Sequence, residues 1–353
     1  MQLLQDTIQK IKKPDYSLAQ EAQKRLDNLT KPQGSLGRLE EIAKQMIVIT
    51  GNLRPQLKNK VIFTMAADHG VVSEGVSAFP KEVTPQMVYN FLKGGAAINV
   101  LARHTGVKVI VVDMGVAVDL ESHPGLIVKK IGYGTKNMTE GPAMSKKEAI
   151  ASIEGGIEIF EAEYAKGIDI VGTGDMGIGN TTPSAAIAAV ITGKSVEEIA
   201  GRGTGIDDAG LSKKIAAIKK AIKINAPQST DGLDVLAKIG GFEIGGLVGV
   251  ILAAAARKVP VVIDGFISTA AALIAYTLKP AVKEYMIAAH CSQEKGHRLM
   301  LTHMDLRPLL DLDMRLGEGT GAALGMSIIE TSIKILTEMA TFQSAGVSER
   351  DDA

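Results

Sequence analysis

The chain alternates short apolar runs with stretches of helical periodicity. Runs rich in β-branched residues predict buried parallel strands, because a strand covered on both faces is apolar throughout. The predicted strands are 61–67, 107–112, 168–171, 259–263 and 285–289, and the helical stretches between them include 85–101, 183–191, 210–224, 242–256 and 269–278. The pattern predicts an α/β fold, a doubly wound parallel sheet with helices on both faces.

The two ends of the chain differ from this middle part. Residues 1–55 are charged and helical in pattern without a predicted strand, and breaks fall at Pro14 and around 31–35. The segment that follows Gly325 is also helical and strand-free. We therefore expect residues 1–55 and 326–353 to form a small helical domain beside a large α/β domain at 56–325.

Each predicted strand ends in polar or glycine residues. Doubly wound sheets bind their ligands at the carboxyl ends of the strands, so these residues are the first candidates for a site. They are Asp68-His69-Gly70, Asp113-Met114-Gly115, Gly172-Thr173-Gly174-Asp175, Asp264-Gly265 and His290-Cys291-Ser292.

Composition narrows the class of protein. The 353 residues include 39 Lys plus Arg and 39 Asp plus Glu, so no overall field favours nucleic acid or an anionic membrane. The single Cys291 excludes an intrachain disulfide and indicates a reducing compartment. The N-terminus lacks a secretory signal, and the longest apolar run, 247–256, is too short to span a bilayer. We expect a cytoplasmic, globular protein that neither inserts into membranes nor binds nucleic acid.

The segment 316–325 sets one carboxylate, Glu318, among four glycines. Glycine lets the backbone come close to a ligand, since no Cβ intervenes. A carboxylate in so dry a place gains proton affinity, which suits a general base near neutral pH. The alternative is that Glu318 caps the first turn of the apolar helix that follows. On this segment alone, the two interpretations have about equal weight.

A glycine-rich segment, 172–177, matches the pattern G-x-G-x-x-G. That match alone is weak. A nicotinamide dehydrogenase also needs an acidic residue at the end of the next strand, roughly 20 residues on. Glu197 and Glu198 lie near that distance, but in a segment of helical pattern. The motif continues through 177–183, where backbone N–H groups and hydroxyls open a helix. This favours a phosphate site over a purely structural turn.

A second glycine loop, 201–208, precedes Lys213 and Lys214 on the next helix. A lysine ammonium there could bind the same phosphate as a point charge. For either lysine alone, a solvated helix face is the better interpretation.

Two further patterns have both a functional and a structural interpretation. Asp68, His69, His290 and His297 are candidate metal ligands, but they form no helical i, i+4 pair and no HExxH or CxxC accompanies them. We predict no catalytic metal. The segment 75–91 mixes small, aromatic and amide side chains, and could line a flat apolar pocket or dock a loop onto a helix.

Five blocks of sequence, taken in order, resemble one known family. They are 30–37, 67–71, 94–99, 177–182 and 317–322, and the resemblance extends from about residue 30 to about residue 336. The family is that of nicotinate-nucleotide–dimethylbenzimidazole phosphoribosyltransferases, which activate the lower ligand of cobalamin. Such enzymes move the 5-phosphoribosyl group from nicotinate mononucleotide to 5,6-dimethylbenzimidazole or a related base.

The resemblance implies a Rossmann-like large domain, a small helical domain from both termini, a homodimer, and neither metal nor redox cofactor. It implies that Glu318 is the catalytic base. Asp175 stands where the family motif has a glutamate. The substrate-binding positions that it implies are Asp175, Gly177, Gly179, Asn180, Thr181, Gly203, Lys214 and Ser292 for the nucleotide, and Ser77, Phe79, Gln86 and Leu316 for the benzimidazole.

Two other functions remain as alternatives. An NAD-dependent oxidoreductase would use the glycine motif, but the required acidic strand end is missing. A non-catalytic nucleotide-binding module would not need Glu318, which is present in an intact glycine loop. The transferase is therefore the favoured hypothesis.

Overall fold

The computed structural model describes residues 1–203 and 205–348. Within them, six strands form one parallel sheet in the order β3-β2-β1-β4-β5-β6. The chain moves outward from β1 on one side and from β4 on the other, which confirms the predicted doubly wound sheet. The strands are β1 (Lys60–Ala67), β2 (Lys108–Gly115), β3 (Leu126–Val128), β4 (Ile170–Met176), β5 (Val261–Ile263) and β6 (Met286–Ala288).

Helices connect and cover the strands. They are α1 (Gln2–Lys10), α2 (Ser17–Asp27), α3 (Arg38–Thr50), α4 (Val83–Leu92), α5 (Ala97–Thr105), α6 (Lys146–Tyr164), α7 (Thr181–Thr192), α8 (Val196–Ile199), α9 (Asp208–Asn225), α10 (Gly232–Ile239), α11 (Phe242–Ala256), α12 (Phe266–Leu278), α13 (His297–His303), α14 (Thr320–Glu338) and α15 (Phe342–Ala345). No helix in the described part of the chain is both long enough and apolar enough to cross a bilayer.

The two faces of the sheet bury different cores. Along β1, Phe63 and Met65 point into a core shared with α6, α11 and α12, whereas Ile62 and Ala66 point into one shared with α4, α5 and α14. This alternation follows from the two-residue period of a strand. Because both faces are covered, β1 is apolar along most of its length, and this is why the sequence identifies it as a strand.

Three elements differ from the sequence-based prediction. The predicted helix 85–101 is two helices, α4 and α5, because Gly94 adopts a left-handed φ of 76° between them. The edge strand β3 was not predicted, since only three residues form it. Strand β4 continues through the segment expected to be a loop, and Gly172 and Asp175 are part of it.

The helices of the two termini contact one another. Leu26 on α2, Ile47 on α3 and Leu336 on α14 share a small apolar cluster. Helix α1 instead contributes Leu4 to the main core beside α6 and α11. The boundaries of a small domain at 1–55 plus 326–353 stay a prediction, and its residues 349–353 lie outside the described part of the chain.

Candidate active site

The sheet reverses its direction of winding between β1 and β4. In doubly wound folds, ligands bind at this switch point, beyond the carboxyl ends of the strands. A cavity of about 250 Å³ opens on the β4 side of this point, beyond the carboxyl ends of β4, β5 and β6. Eight of the predicted site residues line it: Phe79, Asp175, Gly177, Asn180, Thr181, Gly203, Ser292 and Leu316.

Glu318 lies in an unusual turn at the edge of this cavity. Gly317, Glu318 and Gly319 have successive φ values of 86°, 64° and 96°. Such values cost little for glycine but strain a glutamate. Two hydrogen bonds hold the strained peptide: Thr64 Oγ1 donates to the Glu318 carbonyl oxygen at 2.9 Å, and Glu318 N donates to the Asp175 carbonyl oxygen at 3.2 Å.

Glu318 is buried, and its neighbour Gly317, not Glu318 itself, is among the described residues that line the cavity. Ile98 N, in the first turn of α5, donates to its Oε2 at 3.2 Å. Burial raises the pKa of Glu318, and this hydrogen bond acts in the opposite direction without cancelling the effect. The carboxylate does not cap α14, the alternative left open by the sequence. Its proton affinity is that of a candidate base.

Asp175 lies on β4 and is also buried. Asn180 Nδ2 donates to its Oδ2 at 2.9 Å, while Oδ1 has no partner among the described residues. Burial, reinforced by the charges of Asp264 and Glu243, raises the pKa of Asp175 well above its usual range. A carboxyl held in this way would ionise more readily beside a bound cation.

The glycine loop after β4 leads into α7, as predicted. Asn180 is the N-cap residue, but its side chain bonds Asp175 and caps no amide of the helix. Gly179 has a φ of 88° and packs against Val72. In the first turn of α7, Thr182 N already donates to the Gly179 carbonyl oxygen at 3.0 Å and Pro183 has no N–H, so Thr181 N is the amide that suits an anion.

Lys214 reaches this loop from α9. Its Nζ donates to Thr181 Oγ1 at 2.8 Å and to the Gly201 carbonyl oxygen at 3.1 Å. Burial lowers the pKa of Lys214 to about 8. A nearby anion would restore the charged form, so this lysine matches a phosphate better than a solvated helix face. Its neighbour Lys213 is exposed.

Ser292 is held by a chain of hydrogen bonds. Ser292 N donates to His297 Nδ1 at 2.7 Å, and His297 Nε2 lies 2.8 Å from Thr269 Oγ1. The Thr269 hydroxyl donates to the Gly265 carbonyl oxygen, so His297 Nε2 carries the proton. Burial lowers the pKa of His297 to about 3, and the ring is neutral. This imidazole is a structural support.

The predicted benzimidazole residues are less tightly gathered. Phe79 and Leu316 line the cavity and are each about half exposed, at 50% and 56%. Ser77 Oγ accepts a hydrogen bond from Phe79 N at 3.2 Å, and Gln86 is exposed on α4. Neither Ser77 nor Gln86 is among the described residues that line the cavity.

Helix α4 nevertheless docks onto the glycine loop. Ile178 N donates to Thr84 Oγ1, in the first turn of α4, at 3.1 Å. Each of the two interpretations of the segment 75–91 therefore applies to part of it. Thr84 joins its helix to a neighbouring loop, and Phe79 forms part of the cavity wall.

Another of the metal candidates, His69, pairs with a buried carboxylate. Its Nε2 lies 2.7 Å from Glu243 Oε1, and the ring packs against Gly177. Burial lowers the pKa of His69, but the charge and hydrogen bond of Glu243 outweigh burial and the net shift is upward. In the described parts of the chain, no three His, Cys, Asp or Glu side chains are placed to hold one metal ion.

Comparison with known proteins agrees with this geometry. A family model described as "Phosphoribosyltransferase" matches residues 11–347. The chain belongs to this phosphoribosyltransferase family. Two relatives named nicotinate-nucleotide–dimethylbenzimidazole phosphoribosyltransferase, from Geotalea uraniireducens and Roseiflexus sp., are 59% and 61% identical to it over 349 and 348 residues, or 99% of each chain.

A solved structure is also similar. The crystal structure with that enzyme name from Thermus thermophilus has a TM-score of 0.90 and is 43% identical, covering 95% of this chain and 100% of its own. The phosphoribosyltransferase fold of the present chain therefore extends over nearly its whole length.

Family membership and strand geometry both weaken the oxidoreductase hypothesis. The G-x-G-x-x-G match at 172–177 falls mostly inside β4, whereas the dinucleotide fingerprint forms a turn after a strand. Glu197 and Glu198 lie on the short helix α8 and not at a strand end. Neither half of the fingerprint is in its required place.

Asp264, His290 and Arg315 were not among the predicted substrate-binding residues. Asp264 and His290 follow predicted strands and share the signal common to all the strand ends, and the sequence otherwise considers His290 only as a metal ligand. His290 lines the cavity, its Nε2 has no partner among the described residues, and burial lowers its pKa. Arg315 also lines the cavity and donates to the Gly203 carbonyl oxygen at 3.3 Å. No pattern around Arg315 distinguishes it from other surface arginines.

Proposed function

We propose that this protein transfers the 5-phosphoribosyl group of nicotinate mononucleotide to 5,6-dimethylbenzimidazole or a related base. The products are nicotinate and the α-riboside 5′-phosphate, for the lower ligand of cobalamin. The observation that carries the proposal is the buried Glu318 carboxylate, of raised pKa, in a strained turn beside the cavity. The names of relatives at 59% and 61% identity support it.

The chemistry of the reaction needs one base and no general acid. The nicotinate nitrogen in the substrate is a pyridinium, which departs as a neutral ring without protonation. The attacking azole is neutral and must lose its N–H proton as its other nitrogen bonds C1′ of the ribose. Glu318 supplies the base, because burial has raised its proton affinity. The pyridinium leaving group requires neither metal nor redox cofactor.

The phosphate of the nucleotide binds at the glycine loop. Thr181 N at the start of α7, the Thr181 hydroxyl and the Lys214 ammonium provide donors from two helices. Gly177 and Gly179 allow close approach, and Gly203 and Ser292 complete the cavity on this side. Phosphate binding favours the charged form of Lys214, whose pKa burial has lowered to about 8.

The ribosyl group develops positive charge as nicotinate leaves. Asp175 lines the cavity, and its Oδ1 has no partner among the described residues. Its ionised form stabilises an oxocarbenium-like transition state. Attack from the face opposite nicotinate inverts the β-glycoside to the α-riboside. Phe79 and Leu316 contact the incoming base, with Ser77 and Gln86 as its further predicted contacts. The enzyme acts as a cytoplasmic homodimer.

An end-point assay tests the proposal. Purified protein is incubated with nicotinate mononucleotide and dimethylbenzimidazole without added metal, and the products are separated by chromatography. Release of nicotinate with formation of the α-riboside phosphate is the expected result. Turnover with adenine or a phenol, but not with dimethylbenzimidazole, would keep the mechanism and change the acceptor. No product with any base, despite nucleotide binding, would favour a non-catalytic binding module.

A further inference from the structure

The Asp264 side chain binds the N-terminus of α14, the helix that follows Glu318. It comes directly after β5 and is fully buried. Its Oδ2 accepts a hydrogen bond from Gly319 N at 3.1 Å, and its Oδ1 accepts one from Ala322 N at 3.0 Å. Gly319 is the N-cap residue of α14 and has no side chain to satisfy these amides. A carboxylate from another strand end takes that role.

The Glu318 turn is thereby held from three strands. Thr64 on β1 binds its carbonyl oxygen, the backbone of Asp175 on β4 binds its N–H, and Asp264 after β5 binds the next amide. A glutamate with a left-handed φ keeps that conformation only where its surroundings enforce it. The Glu318 carbonyl and the Gly319 N–H belong to one planar peptide, so Thr64 and Asp264 together fix its orientation from its two sides.

We propose that Asp264 is a positioning residue for Glu318. Its carboxylate fixes the start of α14 and, through Gly319, the direction in which the Glu318 side chain leaves the backbone. Both its oxygens are already hydrogen-bonded, and it is absent from the described residues that line the cavity, although its neighbours Gly265 and Phe266 line it. Asp264 therefore acts through Glu318 and not on the substrate. This inference rests on the proposed function.

The test is Asp264→Asn, assayed beside the wild type with nicotinate mononucleotide and dimethylbenzimidazole. The amide has the shape of the carboxylate, but its NH₂ group meets a backbone N–H and cannot accept from it. We expect kcat to fall about 10-fold to 100-fold, the usual result of misplacing a reacting group, and KM for the nucleotide to change less than about threefold.

The same substitution in a Glu318→Gln background separates positioning from general damage. With no base left to position, Asp264→Asn should lower the residual rate less than about twofold, because residues that act as a unit are not additive. An equal loss in both backgrounds would show a structural role only. A large rise in KM at unchanged kcat would make Asp264 a substrate ligand. Either result overturns the inference.

Asp113→Asn is the matched control. Asp113 is buried at the end of β2, and its Oδ1 accepts a hydrogen bond from Val116 N at 2.8 Å. It is likewise a buried carboxylate that accepts a backbone amide at a strand end, although it also pairs with Lys130 Nζ at 3.0 Å. It lies away from the Glu318 turn, so kcat should stay near the wild-type value. If the wild type turns over and Asp264→Asn is equally active, the inference is refuted and the proposed function stands. If the wild type turns over no base at all, the proposed function is refuted as well.

A measurement on the wild type covers the case in which Asp264→Asn does not fold. Hydrogen exchange at the Gly319 and Ala322 amides should be slowed at least about 100-fold relative to an unstructured peptide, since both are bonded to a buried carboxylate. Exchange at the unstructured rate would show that Asp264 does not anchor them, and would overturn the inference without any substitution.

Discussion

The position of Glu318 shows how backbone strain and charge burial combine at one residue. Two glycines with left-handed φ flank it, and its own φ of 64° is enforced by bonds from Thr64 and Asp175. The same crowding removes water and raises the pKa of the carboxylate. The glycines in the sequence predict the crowding, but the partner Ile98 lies about 220 residues away and no local pattern indicates it.

Glu318→Gln tests the base directly. The amide keeps the size of the side chain but cannot take a proton, so kcat should fall by about 10²-fold or more, the usual contribution of a general base. The Kd of nicotinate mononucleotide should change little, as measured by calorimetry. Glu140→Gln, at an exposed glutamate, is the control and should be fully active. Near-normal turnover of Glu318→Gln would remove this residue from catalysis.

Asp175→Glu tests the departure from the family motif. Asp175 Oδ2 is held by Asn180, and an added methylene would move the carboxylate roughly 1.5 Å further into the cavity. If Asp175 sets the room available to the base, the ranking of azole acceptors by kcat/KM should change. Competition assays with pairs of azoles measure that ranking. An unchanged order would limit Asp175 to electrostatic or scaffold roles.

At the scale of elements, the sequence predicted the strands that are buried on both faces. It did not predict features that depend on contacts between residues far apart in the chain. Strands β1, β2 and β4 were predicted from their apolar runs. The predicted strand at β4 ended too early, at residue 171, because Gly172 and Gly174 are typical of a loop. Both are glycine for tertiary reasons: a Cβ at Gly172 would lie 2.8 Å from Ile62 Cγ1, and one at Gly174 would overlap the Glu318 backbone. The strand order that unites Asp175 with Asp264 is likewise absent from local sequence.

Helices α6 and α11 cross at very short range in the main core. A Cβ on Gly156 of α6 would overlap the carbonyl oxygen of Gly246 on α11. Gly156→Ala should therefore destabilise the protein by about 1–3 kcal/mol, despite the better helix propensity of alanine. Urea unfolding measures this free energy. Gly141→Ala, with no atom within 4 Å of the new Cβ, should stay within about 0.5 kcal/mol. Equal stability of both variants would contradict the close crossing.

On the scale of the whole molecule, the site is a product of topology. Glu318, Asp175, Asp264 and His290 come from separate parts of the chain, and only the sheet order brings them to one edge. Burying several ionisable groups there makes unfolding depend on pH, because each group binds protons differently in the folded and unfolded states. Two buried groups, His297 and Asp264, have opposite effects.

The buried His297 makes the protein less stable in acid, whereas the buried Asp264 makes it more stable. Burial lowers the pKa of His297 to about 3, so the unfolded chain binds its proton first, and stability falls as pH drops from 6.5 toward 3. Burial raises the pKa of Asp264 from 3.8 to about 7, so the free-energy cost of burying its ionised form grows as pH rises through that range. Between pH 4 and 6.5 the two slopes offset each other, at up to about 1.4 kcal/mol per pH unit each.

His297→Gln separates these two contributions. At pH 8 the variant should be less stable than the wild type by about 1–3 kcal/mol, because it weakens the bonds to Thr269 and Ser292 N. The difference in stability should shrink below pH 6.5, since only the wild type must keep a buried imidazole unprotonated near His290 and Arg298. Urea unfolding at pH 8, 6 and 5 gives the difference, with exposed His104→Gln as the control. A difference that is constant across this range would mean that His297 titrates normally in the folded protein.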